Sequence, residues 1–187
     1  MISRMVHRMM RRTRYTVIAV EYNGYGVATG PTSPEAILAS VRRVYEHVAR
    51  TRKTQRLVLM GRSIGTGIAA QIARSVSPEL RPDALVLVSP FSSMAAMGYR
   101  LAGGLGRQLI DGVFDTRAAL SRVRVPTLII AGSEDTFVPP EQSAEVHAAS
   151  VASRKRLVML EGSNHMQLDW TTIFDELVRF TIDRVGQ

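Results

Sequence analysis

Apolar positions along this chain alternate between two rhythms. Tyr15–Val20, Arg56–Met60, Ala84–Val88, Thr127–Ala131 and Arg156–Leu160 are short runs with the length and composition of strands. Between them, apolar residues recur at three- and four-residue spacing. Ile37, Val41, Val44, Tyr45 and Val48 mark a helix reaching to about Arg50. Ser33 offers it an N-cap, Pro34 suits its first turn, and Glu35 favours its positive end. Ile64–Ser75 and Glu141–Val151 also read as helices, and Thr172–Val185 as a closing helix with Ile173, Leu177 and Phe180 on one face. Ala84–Val88 and Thr127–Ala131 are continuously apolar, as strands buried on both faces are. The alternation predicts an α/β fold: five parallel strands with helices on both faces.

Residues 1–187 show no repeat, low-complexity tract or linker, so a single domain is expected. Residues 90–125, rich in Ser, Met and Gly, break the rhythm and read as a small cap-like insertion over the site. Before the first strand, Ile2, Met5, Val6 and Met9 share a helical face in a stretch rich in arginine. It reads as a helix packed in the fold; its alternative is a mitochondrial presequence.

Charge adds little to this picture. The net charge is +8, but Arg4, Arg8, Arg11, Arg12 and Arg14 supply five of those charges before the first acid, Glu21. The rest is +3 and mixed in sign, without the basic face and interleaved aromatics of a nucleic-acid binder, so no nucleic-acid partner is expected. The chain has no cysteine, which removes disulfides, thiolate chemistry and cysteine metal sites. No apolar run reaches the roughly 18 residues of a membrane span. The cytoplasm is the expected setting, with the mitochondrial matrix as its alternative.

Gly61-Arg62-Ser63-Ile64-Gly65 is a G-x-S-x-G pentapeptide between the strand Leu57–Met60 and the helical run Ile68–Ile72. In that context the serine sits on a sharp turn that lifts its hydroxyl clear of the sheet, and the glycines avoid a collision across the turn. The turn starts a helix, so the N–H of Ile64 can help hold an oxyanion. A serine needs a base, and the base an orienting acid. Gly132-Ser133-Glu134-Asp135 and Glu161-Gly162-Ser163-Asn164-His165 follow two later strands at their carboxyl ends, in the order this arrangement requires. His165 is the expected base, since His7 lies in the basic head and His47 and His147 lie in amphipathic helices. Asp135 is preferred as the orienting acid over Glu134, with Asp111, Asp115 and Asp169 as minor rivals. This chemistry calls for no metal or cofactor.

GRSIG, GSEDTFVP at 132–139 and EGSNH at 161–165 together resemble the α/β-hydrolase superfamily. EYNGYG at 21–26 and SPFSSM at 89–94 are similar to its branch of protein depalmitoylases and serine-aminopeptidase-like hydrolases. The resemblance implies an α/β-hydrolase fold, Ser63, Asp135 and His165 as the triad, and Ile64 as half of the oxyanion hole. Members of that branch carry an HGN-type loop upstream of EYNGYG, which supplies the second oxyanion amide. The reading therefore expects an N-terminally incomplete chain lacking its first strands, with low stability and weak activity alone. The cysteine-rich, lipid-modified head of the depalmitoylases has no counterpart here, although peripheral membrane association stays open.

The implied reaction is acyl transfer to Ser63 followed by hydrolysis. Phe91, Met94, Met97, Leu101 and Leu105 either line a pocket for a fatty chain or simply pack. A long-chain ester or thioester, such as a palmitoyl-protein thioester, is the first expected substrate. A small carboxylester is the second, and a non-catalytic hydrolase-like protein is the competing class. The oligomeric state is not legible in the sequence.

Overall fold

The computed structural model describes residues 2–52, 55–98, 100 and 113–182. In chain order the elements are α1 (Ile2–Thr13), α2 (Pro34–Thr51), β1 (Val58–Arg62), α3 (Ile64–Ser75), β2 (Ala84–Val88), α4 (Thr116–Leu120), β3 (Thr127–Gly132), α5 (Pro140–Ala149), β4 (Lys155–Leu160) and α6 (Trp170–Ile182). A short 3-10 turn, Pro78–Leu80, precedes β2. Two compact units result: Met1–Val44 with Asp169–Gln187, and Tyr45–Leu168.

The second unit holds a four-stranded sheet in the order β1-β2-β3-β4, every pair parallel. Parallel neighbours need crossovers, and α3, α4 and α5 provide them. They lie on one face, where Ala69, Ala70 and Ala73 of α3, Ala119 and Leu120 of α4, and Val146 of α5 pack with Leu85, Leu87 and Ile129 of the strands. The alternate residues Val86, Val88, Leu128 and Ile130 point to the opposite face and are also fully buried. This accounts for the unbroken apolar runs of β2 and β3. The outer strands are less buried, and β4 begins on two exposed residues.

In the first unit α1 packs on α6, where Arg12 donates two hydrogen bonds to the Asp175 carboxylate at 2.7 and 2.6 Å. The EYNGYG segment is a turn that returns on itself, with Glu21 Oε2 accepting from Val27 N–H at 3.0 Å and Gly26 at φ 55°.

The expected strand at Tyr15–Val20 does not form, so the described sheet has four strands rather than five. Its alternation of half-buried and exposed residues survives from Tyr15 to Ile18, but a strand is stabilised by its ladder, and these residues pair with none of the four strands. Tyr15 is tied instead through its hydroxyl to Thr181 Oγ1 on α6. In residues 90–125, the described parts contain a helical turn at 94–98 and α4, the latter capped by Asp115.

Candidate active site

The candidate side chains Ser63, Asp135 and His165 come from segments at the carboxyl edge of the sheet, where β1, β3 and β4 end. β1 runs directly into α3 through Ser63, whose backbone lies at φ 51° and ψ −122°. A non-glycine residue held there stores roughly 1–3 kcal/mol. The surroundings enforce the turn. Ser63 N–H donates to the carbonyl of Val88 at the end of β2 at 2.9 Å, and its own carbonyl accepts from Thr66 N–H at 2.9 Å and Thr66 Oγ1 at 2.6 Å. A Cβ on Gly61 would lie 2.2 Å from the Gly65 carbonyl oxygen, so the motif's first glycine is a steric requirement.

Ser63 occupies the N-cap position of α3 but makes no capping bond with its side chain. Its Oγ instead lies 3.1 Å from His165 Nε2, and His165 Nδ1 lies 2.7 Å from Asp135 Oδ2. A carboxylate only accepts, so the ring proton sits on Nδ1 and Nε2 is left as the acceptor for the serine hydroxyl. Asp135 is 2% exposed, and its Oδ1 accepts from the N–H groups of Val138 at 2.7 Å and Phe137 at 3.0 Å. Those donors keep a buried charge satisfied.

The histidine loop is built for this contact. Gly162 takes φ 65°, the left-handed conformation that glycine tolerates. Ser133 Oγ accepts from Gly162 N–H, and Asn164 Oδ1 accepts from the N–H groups of Met166 and Gln167. Arg62, between the motif's glycine and serine, donates through a terminal guanidinium nitrogen to the His165 carbonyl at 2.6 Å.

The rivals have other work. Glu134 is exposed, Asp115 caps α4 by accepting from Ala118 N–H, and Asp169 accepts from Thr171 and Thr172 at the start of α6. Asp111 lies outside the described residues. His7 and His47 are exposed on α1 and α2, and His147 lies on α5. Among the described residues, no group of three or more His, Asp and Glu side chains is placed to hold a metal ion.

The apolar candidates divide. Phe91 and Met97 are buried and Met94 is half-buried. Phe91 packs over α3 at Gly67, where an added Cβ would stand 3.1 Å from its ring. Met97 Sδ lies 3.5 Å from Gln142 Nε2. Leu101 and Leu105 lie outside the described residues. In the segments that carry Ser63, Asp135 and His165, however, three large apolar side chains are open to solvent: Ile64 (45% exposed), Phe137 (49%) and Met166 (69%). The Phe137 ring centroid is 5.0 Å from that of His165. Sequence reasoning passed over Phe137 and Met166 in this role, although each lies within two residues of a triad member.

A family model described as the alpha/beta hydrolase fold matches residues 1–115, more than half of the chain. The chain belongs to the alpha/beta hydrolase fold family. A second model, for serine aminopeptidase, matches residues 95–169. An uncharacterized protein of Mycobacterium tuberculosis is 31% identical over 88% of this chain and 59% of its own length. The lysophosphatidylserine lipase of Danio rerio is 23% identical over 80% of this chain and 43% of its own. A solved esterase of Pyrococcus furiosus superposes with a TM-score of 0.75 at 18% identity, covering 98% of this chain and 75% of that one. The chain spans less than two thirds of the curated relatives it matches, 58% and 59% for the first two. The alpha/beta hydrolase fold read from GRSIG, GSEDTFVP and EGSNH is thus the fold of this protein.

Proposed function

We propose that this chain is the catalytic region of a serine hydrolase that cleaves esters or thioesters of apolar acyl groups. The observation that carries the reading is the continuous hydrogen-bonded line from Ser63 Oγ through His165 to Asp135. In the reaction, Ser63 Oγ attacks the acyl carbon while its proton moves to His165 Nε2. The imidazolium so formed is held by the Asp135 carboxylate. The carbonyl oxygen becomes an oxyanion and takes the N–H of Ile64, one of the helix-start amides with no acceptor in its own helix. His165 then protonates the departing alcohol or thiol, leaving Ser63 acylated. Water, deprotonated by His165, reverses the sequence and frees the acid.

The exposed apolar rim of Ile64, Phe137 and Met166 favours a substrate with a hydrocarbon chain. Relatives named as lysophosphatidylserine lipases and a structural neighbour named as a monoacylglycerol lipase support the same class. A palmitoyl-protein thioester falls within it, and so does action at a membrane surface. No described helix is long and apolar enough to cross a membrane. A small carboxylester is the second reading, favoured by the burial of Phe91 and Met97, which leaves neither open to a long chain.

The test is Ser63→Ala. Hydrolysis of p-nitrophenyl butyrate and labelling by a fluorophosphonate probe should both vanish while the melting temperature holds. Equal turnover by the variant refutes the assignment.

A further inference from the structure

The bond from Arg62 to the His165 carbonyl joins residues 103 apart in sequence, from the end of β1 to the loop after β4. We propose that Arg62 is a positioning residue, which sets the catalytic histidine against the nucleophile; this rests on the hydrolase reading above. His165 lies in a loop with no ladder or helix of its own. Asp135 holds its ring at Nδ1, and that bond alone leaves the backbone free to carry the ring along the sheet edge. Arg62 holds the other end of the residue. Because Arg62 immediately precedes Ser63, nucleophile and clamp share one rigid strand end, and the 3.1 Å gap between Oγ and Nε2 is gauged from β1.

The strand's alternation explains how the side chain gets there. Leu59 faces the helices of the α3 side, and so does Gly61, where a Cβ would strike α3. Arg62 is therefore directed to the other face, and its guanidinium reaches the His165 backbone. The group is half-buried, and its pKa is lowered by that burial, an effect opposed by the Asp135 charge. A charged donor to a backbone carbonyl also makes a stronger tether than a neutral one.

A displacement of about 1 Å at a catalytic group costs on the order of 100-fold in rate. Arg62→Met should therefore lower kcat on p-nitrophenyl butyrate roughly 10- to 100-fold, with KM within about twofold, and slow fluorophosphonate labelling of Ser63 in proportion. Arg62→Lys, which still offers a cationic donor, should recover part of the rate. Imidazole nitrogen-15 NMR reads the same effect without turnover: Asp135 fixes the Nδ1–H tautomer in both proteins, and Arg62→Met should shift the Nε2 resonance toward that of a nitrogen accepting no hydrogen bond, as the Ser63 contact lengthens. An Arg62→Met variant with wild-type kcat and an unchanged Nε2 resonance overturns the proposal, as does a rate loss that follows only the fraction unfolded in its melting curve. A wild-type chain that neither hydrolyses the ester nor labels at Ser63 refutes the hydrolase reading instead, and the NMR comparison still decides whether Arg62 positions the ring.

Discussion

Gly132 and Ser163 approach so closely that a Cβ on Gly132 would lie 2.2 Å from the Ser163 carbonyl oxygen. This contact presses the loop carrying Asp135 against the loop carrying His165, and Glu134 N–H closes it by donating to the same oxygen at 3.0 Å. The aspartate–histidine bond therefore depends on the absence of a side chain three residues before the aspartate. Gly132→Ala should cost roughly 1–3 kcal/mol, since backbone must move to admit the methyl. It should also slow labelling of Ser63 more than the stability loss explains. Denaturant melts and labelling kinetics on one preparation separate the two effects, and wild-type labelling would show that the close approach does not position the site.

Asp135→Asn tests the tautomer argument. The amide keeps the shape but can present N–H to His165 Nδ1, so the ring can place its proton on Nε2, facing Ser63. Turnover should fall by about 10⁴ with little change in substrate affinity. Steady-state kinetics check this, and a loss below tenfold is inconsistent with Asp135 as the orienting acid.

The rim prediction concerns chain length. Rates on p-nitrophenyl esters should rise from acetate to octanoate in the wild-type protein. Met166→Ser, which leaves the triad intact, should reduce the octanoate rate several-fold while sparing acetate, because each buried methylene is worth about 0.8 kcal/mol. A steady fall beyond butyrate in the wild type would favour the small-ester reading.

Tyr45 gives a prediction about pH. Its hydroxyl donates to the Leu80 carbonyl at 2.6 Å, and burial, reinforced by Asp83 and opposed by Arg52, holds the phenol well above its usual value near 10. The unfolded chain thus loses this proton at lower pH than the folded one. The associated stability is complete below pH 10 and drains away as pH rises above it. Tyr45→Phe should be about 1–2 kcal/mol less stable at neutral pH, from the lost bond to Leu80. The gap to wild type should narrow above pH 10. Melting temperatures across that range check the sign, and a widening gap would contradict it.

Several features of the site were legible in one dimension because they are local. The G-x-S-x-G turn needs its first glycine for contacts with Gly65 and Thr66, and Gly162 announces the left-handed turn before His165. Asp135 and Glu134 share one loop after a strand, and the bond to His165 Nδ1 that separates them is visible only in space. Arg62 was not legible as a partner of His165: in sequence it is one arginine among many, and its acceptor is a backbone atom, which every residue possesses. Gly132 likewise looks like an ordinary loop glycine until the histidine loop is laid against it.

By itself the sequence determined the long helices but not α4, which it left in an irregular stretch, together with the strands at Ala84–Val88 and Thr127–Ala131, the latter one residue longer in the structure, and it offered Ser63, Asp135 and His165 as candidates. Periodicity and short-range sterics are written along the chain. Only the tertiary structure decided that Tyr15–Val20 joins no ladder and that Phe91 and Met97 are core. It also decided that Ile64, Phe137 and Met166, each within two residues of Ser63, Asp135 or His165, stay open to solvent. Each of those outcomes turns on what lies beside a residue in space: strand pairing and exposure belong to neighbours distant in sequence, and an apolar side chain carries the same pattern whether it faces the core or the substrate.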